Sequence, residues 1–235
     1  TDGSGSASNY SINSLTAEIT GRPVTISGSR LYDSTTTASS SILTITSGVS
    51  GESLSLTGSG VLGAASAGTQ TITNNNTLAI ADGSGGLASN YTLSGATINV
   101  TIIPRTLNVT LSREYDGTTS VSGASLTPTF ESRQGGETLA LSGTGSVSTA
   151  NVGSSKAVSL GSIALVAGSG NPSNYSLNSA TMNVTQRVIN LDGIRAYDAT
   201  TNVLSSDINT FGNIVSGETL TCLLYTSPSP RDNTG

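Results

Sequence analysis

The sequence predicts an all-β fold: tandem small β domains of about 83 residues, β-sandwich or β-grasp-like, arranged as beads on a string. Three observations predict it. Apolar residues alternate with polar ones at period two through most of the chain, the signature of half-buried strands. The polar bulk is Ser, Thr, Gly and Asn, with one Lys and few Glu or Gln, so strand and turn formers abound while helix formers are scarce. Three sets of landmarks recur at a long, even spacing, the mark of a repeated unit.

The landmarks are Ser-Asn-Tyr, ending at Tyr10, Tyr91 and Tyr175; Arg-x-Tyr-Asp, at residues 30–33, 113–116 and 195–198; and Gly-Glu-x-Leu, at residues 51–54, 136–139 and 217–220. Successive copies lie 81 to 85 residues apart. A further Arg recurs at Arg22, Arg105 and Arg187, so six of the nine basic residues and six of the seven Tyr fall on repeated positions. The frame that follows has the C-terminal part of a repeat over 1–21, complete repeats over 22–104 and 105–186, and the N-terminal part of a third over 187–221. An 83-residue unit exceeds a solenoid repeat and is long enough to enclose its own core. A parallel β-helix is disfavoured for the same reason.

The strands follow in order. In the first complete repeat, Val24 and Ile26 open the pattern; Leu54 and Leu56 continue it; then come Ile72, Leu78 and Ile80, Tyr91 and Leu93, and finally Ile98, Val100 and Ile102. In the second, Leu107, Val109 and Leu111 share one face, Leu139 and Leu141 follow, then Val158 and Leu160, Ile163 and Leu165, Tyr175 and Leu177, and Met182 and Val184. This reads as five to seven strands per repeat with no amphipathic helix. Clusters such as residues 84–86 and 168–172 read as turns. Pro23 and Pro104 stand at the junctions, where Pro removes a ladder donor and its ring stiffens the link.

Composition excludes much chemistry. Without His there is no imidazole base, no Ser-His-Asp triad and no His ligand. One Cys makes no intramolecular disulfide and no Cys-rich zinc site. Nine basic against fourteen acidic residues, a net charge of −5, leave no electrostatic footprint for nucleic acid, and no apolar run has the length a membrane helix needs. The expectations are therefore no catalytic residue, no cofactor and no metal. The start at Thr1 without a leader reads as a piece of something longer.

The landmarks carry two readings. Positions i and i+2 of a strand share a face, which sets Arg30 beside Tyr32, Arg113 beside Tyr115 and Arg195 beside Tyr197, with a guanidinium–phenol contact worth about 0.5–1 kcal/mol. The following Asp33, Asp116 and Asp198 suit Asx turns. The structural reading has Tyr seal the core rim and Asp fix the turn; the functional reading makes Tyr, Asp and Arg a carbohydrate platform. Tyr10, Tyr91 and Tyr175 enter a strand after an Asn in a turn, and Asn9, Asn90 and Asn174 also satisfy the N-glycosylation pattern. Asp2-Gly-Ser-Gly and Asp82-Gly-Ser-Gly are similar to pieces of calcium loops, but the third copy begins with Ala167. The Phe residues, Phe130 and Phe211, hold corresponding strand positions.

Tyr-Asp-Gly-Thr-Thr at 115–119, Gly-Glu-Thr-Leu-Ala-Leu-Ser-Gly at 136–143 and Asn-Tyr-Ser-Leu at 174–177 together resemble the YDG-type repeat domains, related to MBG repeats, of bacterial filamentous-haemagglutinin-like surface exoproteins. The resemblance covers residues 1–221. It implies a secreted, cell-surface location, a stalk or adhesive role without catalysis, an outer-membrane secretion partner, and host or community surface glycans or proteins as partners. The Gly of the motif is Gly117 alone; Ser34 and Ala199 replace it, which argues against a need for positive φ there. Residues 222–232 resemble a translated transposase sequencing adapter and break the repeat pattern, so residues 222–235 are set aside as an artefact, and the native chain has no Cys.

Overall fold

Period-two sequences must lay their apolar face on something, and here each repeat folds its own sheet over a ribbon. A computed structural model describes residues 4–126 and 128–221 of the chain. Asp2 and the adapter-like residues 222–235 lie outside the described residues. The chain divides into two compact units, Thr1–Pro104 and Arg105–Gly235. Among the described residues the only helices are three-residue 3-10 turns, and none is long and apolar enough to cross a membrane.

The first unit holds β1 (Arg22–Leu31), β2 (Thr37–Ser39), β3 (Leu43–Thr46), β4 (Leu54–Thr57), β5 (Ser59–Leu62), β6 (Gly68–Asn74), β7 (Ala79–Asp82) and β8 (Tyr91–Ile103). Six of these form one sheet in the order β2-β5-β6-β8-β1-β3, and β4 and β7 form a separate ribbon. The first and last strands, β1 and β8, run parallel beside each other; the other pairs are antiparallel. Val24, Ile26, Tyr91 and Ile98 form a buried cluster from these two strands, and Leu54, Leu56 and Ile80 of the ribbon pack onto it. A ribbon rather than a helix covers the sheet, which makes the unit sandwich-like rather than grasp-like.

The second unit repeats this plan with β9 (Arg105–Glu114), β10 (Ser120–Ser122), β11 (Thr129–Phe130), β12 (Leu139–Ser142), β13 (Thr144–Val147), β14 (Gly153–Ser159), β15 (Ala164–Ala167) and β16 (Tyr175–Thr185). The sheet order is β10-β13-β14-β16-β9-β11, with β12 and β15 as the ribbon. Leu107, Leu111 and Met182 are fully buried across the parallel β9–β16 pair. The third, partial repeat contributes β17 (Asn190–Gly193) and β18 (Ile208–Gly212), an antiparallel pair. Phe211 faces Leu191 there as Phe130 faces Val109 in the second repeat.

Each complete repeat thus has eight strands, more than the five to seven that alternation marks. The extra ones are short: β2, β10 and β11 run two or three residues and offer too little pattern to read. Two glycines fix where the ribbon strand meets the sheet strand. Gly58 and Gly143 have φ of +73° and +78°, and a Cβ on either would lie 2.0 Å from a carbonyl oxygen, of Thr77 or Ser162. No other residue type fits that approach.

Candidate functional site

The Arg-x-Tyr-Asp landmark sits where the first strand of each repeat ends, and it builds the same local structure three times. In the second repeat the Arg113 guanidinium folds over the loop after β9. It donates to the Ser120 carbonyl at 2.5 Å, to the Thr118 hydroxyl at 3.2 Å and to the Thr118 carbonyl, and it pairs with Asp116 at 3.1 Å. Asp116 Oδ1 accepts from the Thr118 N–H at 2.9 Å and from its hydroxyl at 3.0 Å, an Asx turn. In the first repeat Asp33 accepts from Thr35 at 2.9 and 2.8 Å, and Arg30 pairs with Asp33 and donates to the Thr35 carbonyl at 2.5 Å. Asp198, Thr200 and Arg195 repeat the arrangement in the third.

One sequence expectation needs correction here. The residue after each Asp does adopt positive φ: +63° at Ser34, +76° at Gly117 and +62° at Ala199. The Asp and Arg bonds on either side fix the turn so firmly that an L-residue is held in the left-handed region, at a strain of about 1–2 kcal/mol. The landmark guanidiniums turn into their own loops, where they bond Asp and Thr. A cation–π contact is made by Arg133 over the Phe130 ring, at 5.6 Å.

The charge states follow from these contacts. Burial raises the carboxyls of Asp33 and Asp116, but the bonds from Thr35 and Thr118 and the adjacent Arg30 and Arg113 outweigh it, and both end below the ordinary value. Asp198 is lowered chiefly by the Thr200 N–H and hydroxyl, then by Arg195.

The Tyr landmarks divide. Tyr32, Tyr91 and Tyr175 are buried, Tyr115 is half-buried, and Tyr10 and Tyr197 are 78% and 92% exposed. Both exposed ones lie in the incomplete repeats. A partner that sequence reading left without a role completes this set: the Glu of Gly-Glu-x-Leu. The Tyr91 hydroxyl donates to Glu52, and the Tyr175 hydroxyl donates to Glu137 while accepting the Gln134 N–H at 3.1 Å. The Tyr115 hydroxyl donates to Glu218 of the third repeat. These carboxylates hold the phenols of Tyr91 and Tyr115 above their ordinary value; for Tyr175 burial is the larger cause and Glu137 adds to it. The signal was present in the sequence, since Tyr and Glu recur with the same period, but periodicity does not say that they meet.

Where the second repeat passes into the third, Arg187 joins them. It donates to the Asn213 carbonyl at 2.6 Å, to its side-chain oxygen at 2.7 Å and to the Tyr115 carbonyl at 3.4 Å. A cleft of about 510 Å³ lies there, lined by Tyr115, Val152, Arg187, Ile214, Val215 and Glu218 among others. Its one carboxylate among the described residues is Glu218, already bound by Tyr115. The calcium-like loop at Asp82 is closed internally, Oδ1 accepting the Ala88 N–H at 2.7 Å. No group of three metal-ligating side chains occurs among the described residues. Of the glycosylation-pattern residues, Asn90 is exposed and Asn174 is buried.

The YDG domain matches the sequence twice in tandem, over residues 16–100 and 101–182. No curated protein and no solved structure matches the chain. The two matched spans cover well over half of the residues, and two repeats of one strand order carry them: the chain belongs to the YDG domain family.

Proposed function

We propose that this chain is a non-enzymatic stalk or spacer region of a large secreted bacterial surface adhesin of the filamentous-haemagglutinin type. One observation carries the reading. In the complete repeats the landmark residues available for chemistry or recognition bond to one another: Arg30 and Arg113 to Asp and Thr in the turns, Tyr91 and Tyr175 to Glu across the repeat. Repetition of the same internal bonds at each copy suits a part selected for holding shape along a line. A chain free of native Cys also suits passage through an outer membrane unfolded.

The second reading is a glycan- or mucin-binding module. The observation favouring it is Tyr197, exposed beside the Arg195 and Asp198 pair. Its counterpart Tyr32 is 3% exposed, so the complete first repeat does not offer that ring. Screening the chain against immobilised glycans and mucins separates the readings. The spacer predicts no saturable binding; saturable binding abolished by Tyr197→Ala would establish the module instead.

A further inference from the structure

In both complete repeats the strand by which the chain enters and the strand by which it leaves lie side by side. The chain enters the first repeat at Arg22, the start of β1, and leaves it at Ile103, the end of β8. These strands run parallel, paired from Arg22 opposite Tyr91 to Leu31 opposite Ile103. In the second repeat β9 and β16 run parallel from Arg105 opposite Tyr175 to Glu114 opposite Thr185. Entry and exit therefore lie at opposite ends of one ladder. β1 is 10 residues long, so the two points are about 30 Å apart along the strands and about 5 Å apart across them. A pull on the repeat acts almost along the strands and draws the two in opposite directions.

That direction decides how the ladder resists. Strands parted at one end open one pair at a time. Parallel strands drawn in opposite directions load their evenly spaced bonds together, over nine residue pairs in the first repeat and ten in the second. Neither strand lies at an edge from which it could peel: β3 and β6 flank the β1–β8 pair, and β11 and β14 flank the β9–β16 pair. Sliding also drags buried Val24 and Ile26 past buried Val100 and Ile102, and a slip of one residue turns a strand's inner face to solvent. The trailing end of each exit strand is tied down as well, Tyr91 to Glu52 and Tyr175 to Glu137. Pro104 alone separates the exit strand of the first repeat from the entry strand of the second, so tension passes between them through one residue.

We propose that each complete repeat is a tension-bearing unit, in which the parallel pair of first and last strands is a shear clamp that holds the fold while the chain is pulled along its length. The clamp is a property of strand order and register inside one repeat, and it is built twice, by β1 with β8 and by β9 with β16. It goes beyond the spacer reading and stands without it, since the strand pairing is the same whatever the chain joins. Forced opening reports the barrier along the pulled direction and not the equilibrium stability. One ladder therefore resists strongly in one direction and weakly in another.

The test is single-molecule force spectroscopy on the full chain with two placements of the pulling handles, both in a Cys222→Ser background. Thr20→Cys with Ile103→Cys pulls the first repeat along its ladder. Thr20→Cys with Ser89→Cys parts the same ladder from its Arg22–Tyr91 end. Thr20, Ser89 and Ile103 are exposed, so both variants are expected to keep the wild-type melting temperature. The opening force is expected to be several-fold higher for the first placement than for the second. The chain pulled from its two ends is expected to lengthen in two steps of about 250 Å, one for each complete repeat. Equal opening forces in the two directions overturn the proposal. So does a chain that lengthens smoothly, with no step, when pulled from its ends.

Discussion

At the residue scale the turn after Asp is the most exacting position. Ser34, Gly117 and Ala199 share one left-handed conformation, and only glycine holds it without strain. Gly117→Ala adds that strain and sets a Cβ 2.9 Å from Val215. It is expected to destabilise the second unit by about 1 kcal/mol, read from its urea midpoint. Ser34→Gly relieves strain but frees the unfolded backbone, and the first unit is expected to change by less than about 0.5 kcal/mol. The Asp carboxyls give the repeats an acid limit. Their folded values lie below the unfolded value of about 3.9, so the stability they contribute is present above that pH and is lost as pH falls through the folded value. Asp116→Asn keeps the Asx acceptor and removes the titration; its urea midpoint is expected to fall less than the wild type's on acidification. The phenols act oppositely, being raised: their contribution is whole below about pH 10 and is lost as pH rises through the folded value. Tyr175→Phe takes a donor from Glu137 and an acceptor from the Gln134 N–H, at an expected cost of about 1–2 kcal/mol in the same measurement.

At the element scale the parallel pair of first and last strands shows what is fixed and what gives. Both ends are pinned in the two repeats alike. Tyr91 lies opposite Arg22 and Tyr175 opposite Arg105, while the Tyr32 and Tyr115 N–H groups donate to the carbonyls of Ile103 and Thr185 at 2.9 Å. The span from Tyr91 to Arg105 is two residues longer than that from Tyr175 to Arg187, and the surplus goes into a wider bulge at residues 93–96, where Gly95 has φ of +73°. Deleting Ser94 and Gly95 together should leave a cooperative thermal transition by circular dichroism. Deleting Asn99 alone should abolish it, because one missing residue turns Val100 and Ile102 from the core to solvent. The inner faces of these strands were legible from alternation at Leu107, Val109, Leu111, Met182 and Val184. The partners were not, since alternation records which face is buried and not which strand lies alongside.

At the scale of the whole molecule, each repeat is closed by pairing its two ends. That contact spans nearly the full repeat in sequence, so loop-closure entropy opposes it until most of the sheet is in place. Refolding of the chain is expected to fall in the range of about milliseconds to seconds by stopped-flow, slower than helical domains of this size. Tyr91 and Tyr175, in the complete repeats, are buried where the first and last strands pair, opposite Arg22 and Arg105.

The sequence by itself determined the all-β class, the repeat period and the faces of the long strands. These are local or periodic properties, set by alternation and by scarce residues recurring in step. Tertiary structure alone decided that the first and last strands of a repeat lie parallel at its centre, that Tyr and Glu landmarks meet, and that Ser34 and Ala199 bend like Gly117. Each depends on segments far apart in the chain, or on bonds strong enough to override a residue's own preference, and neither leaves a trace in local pattern.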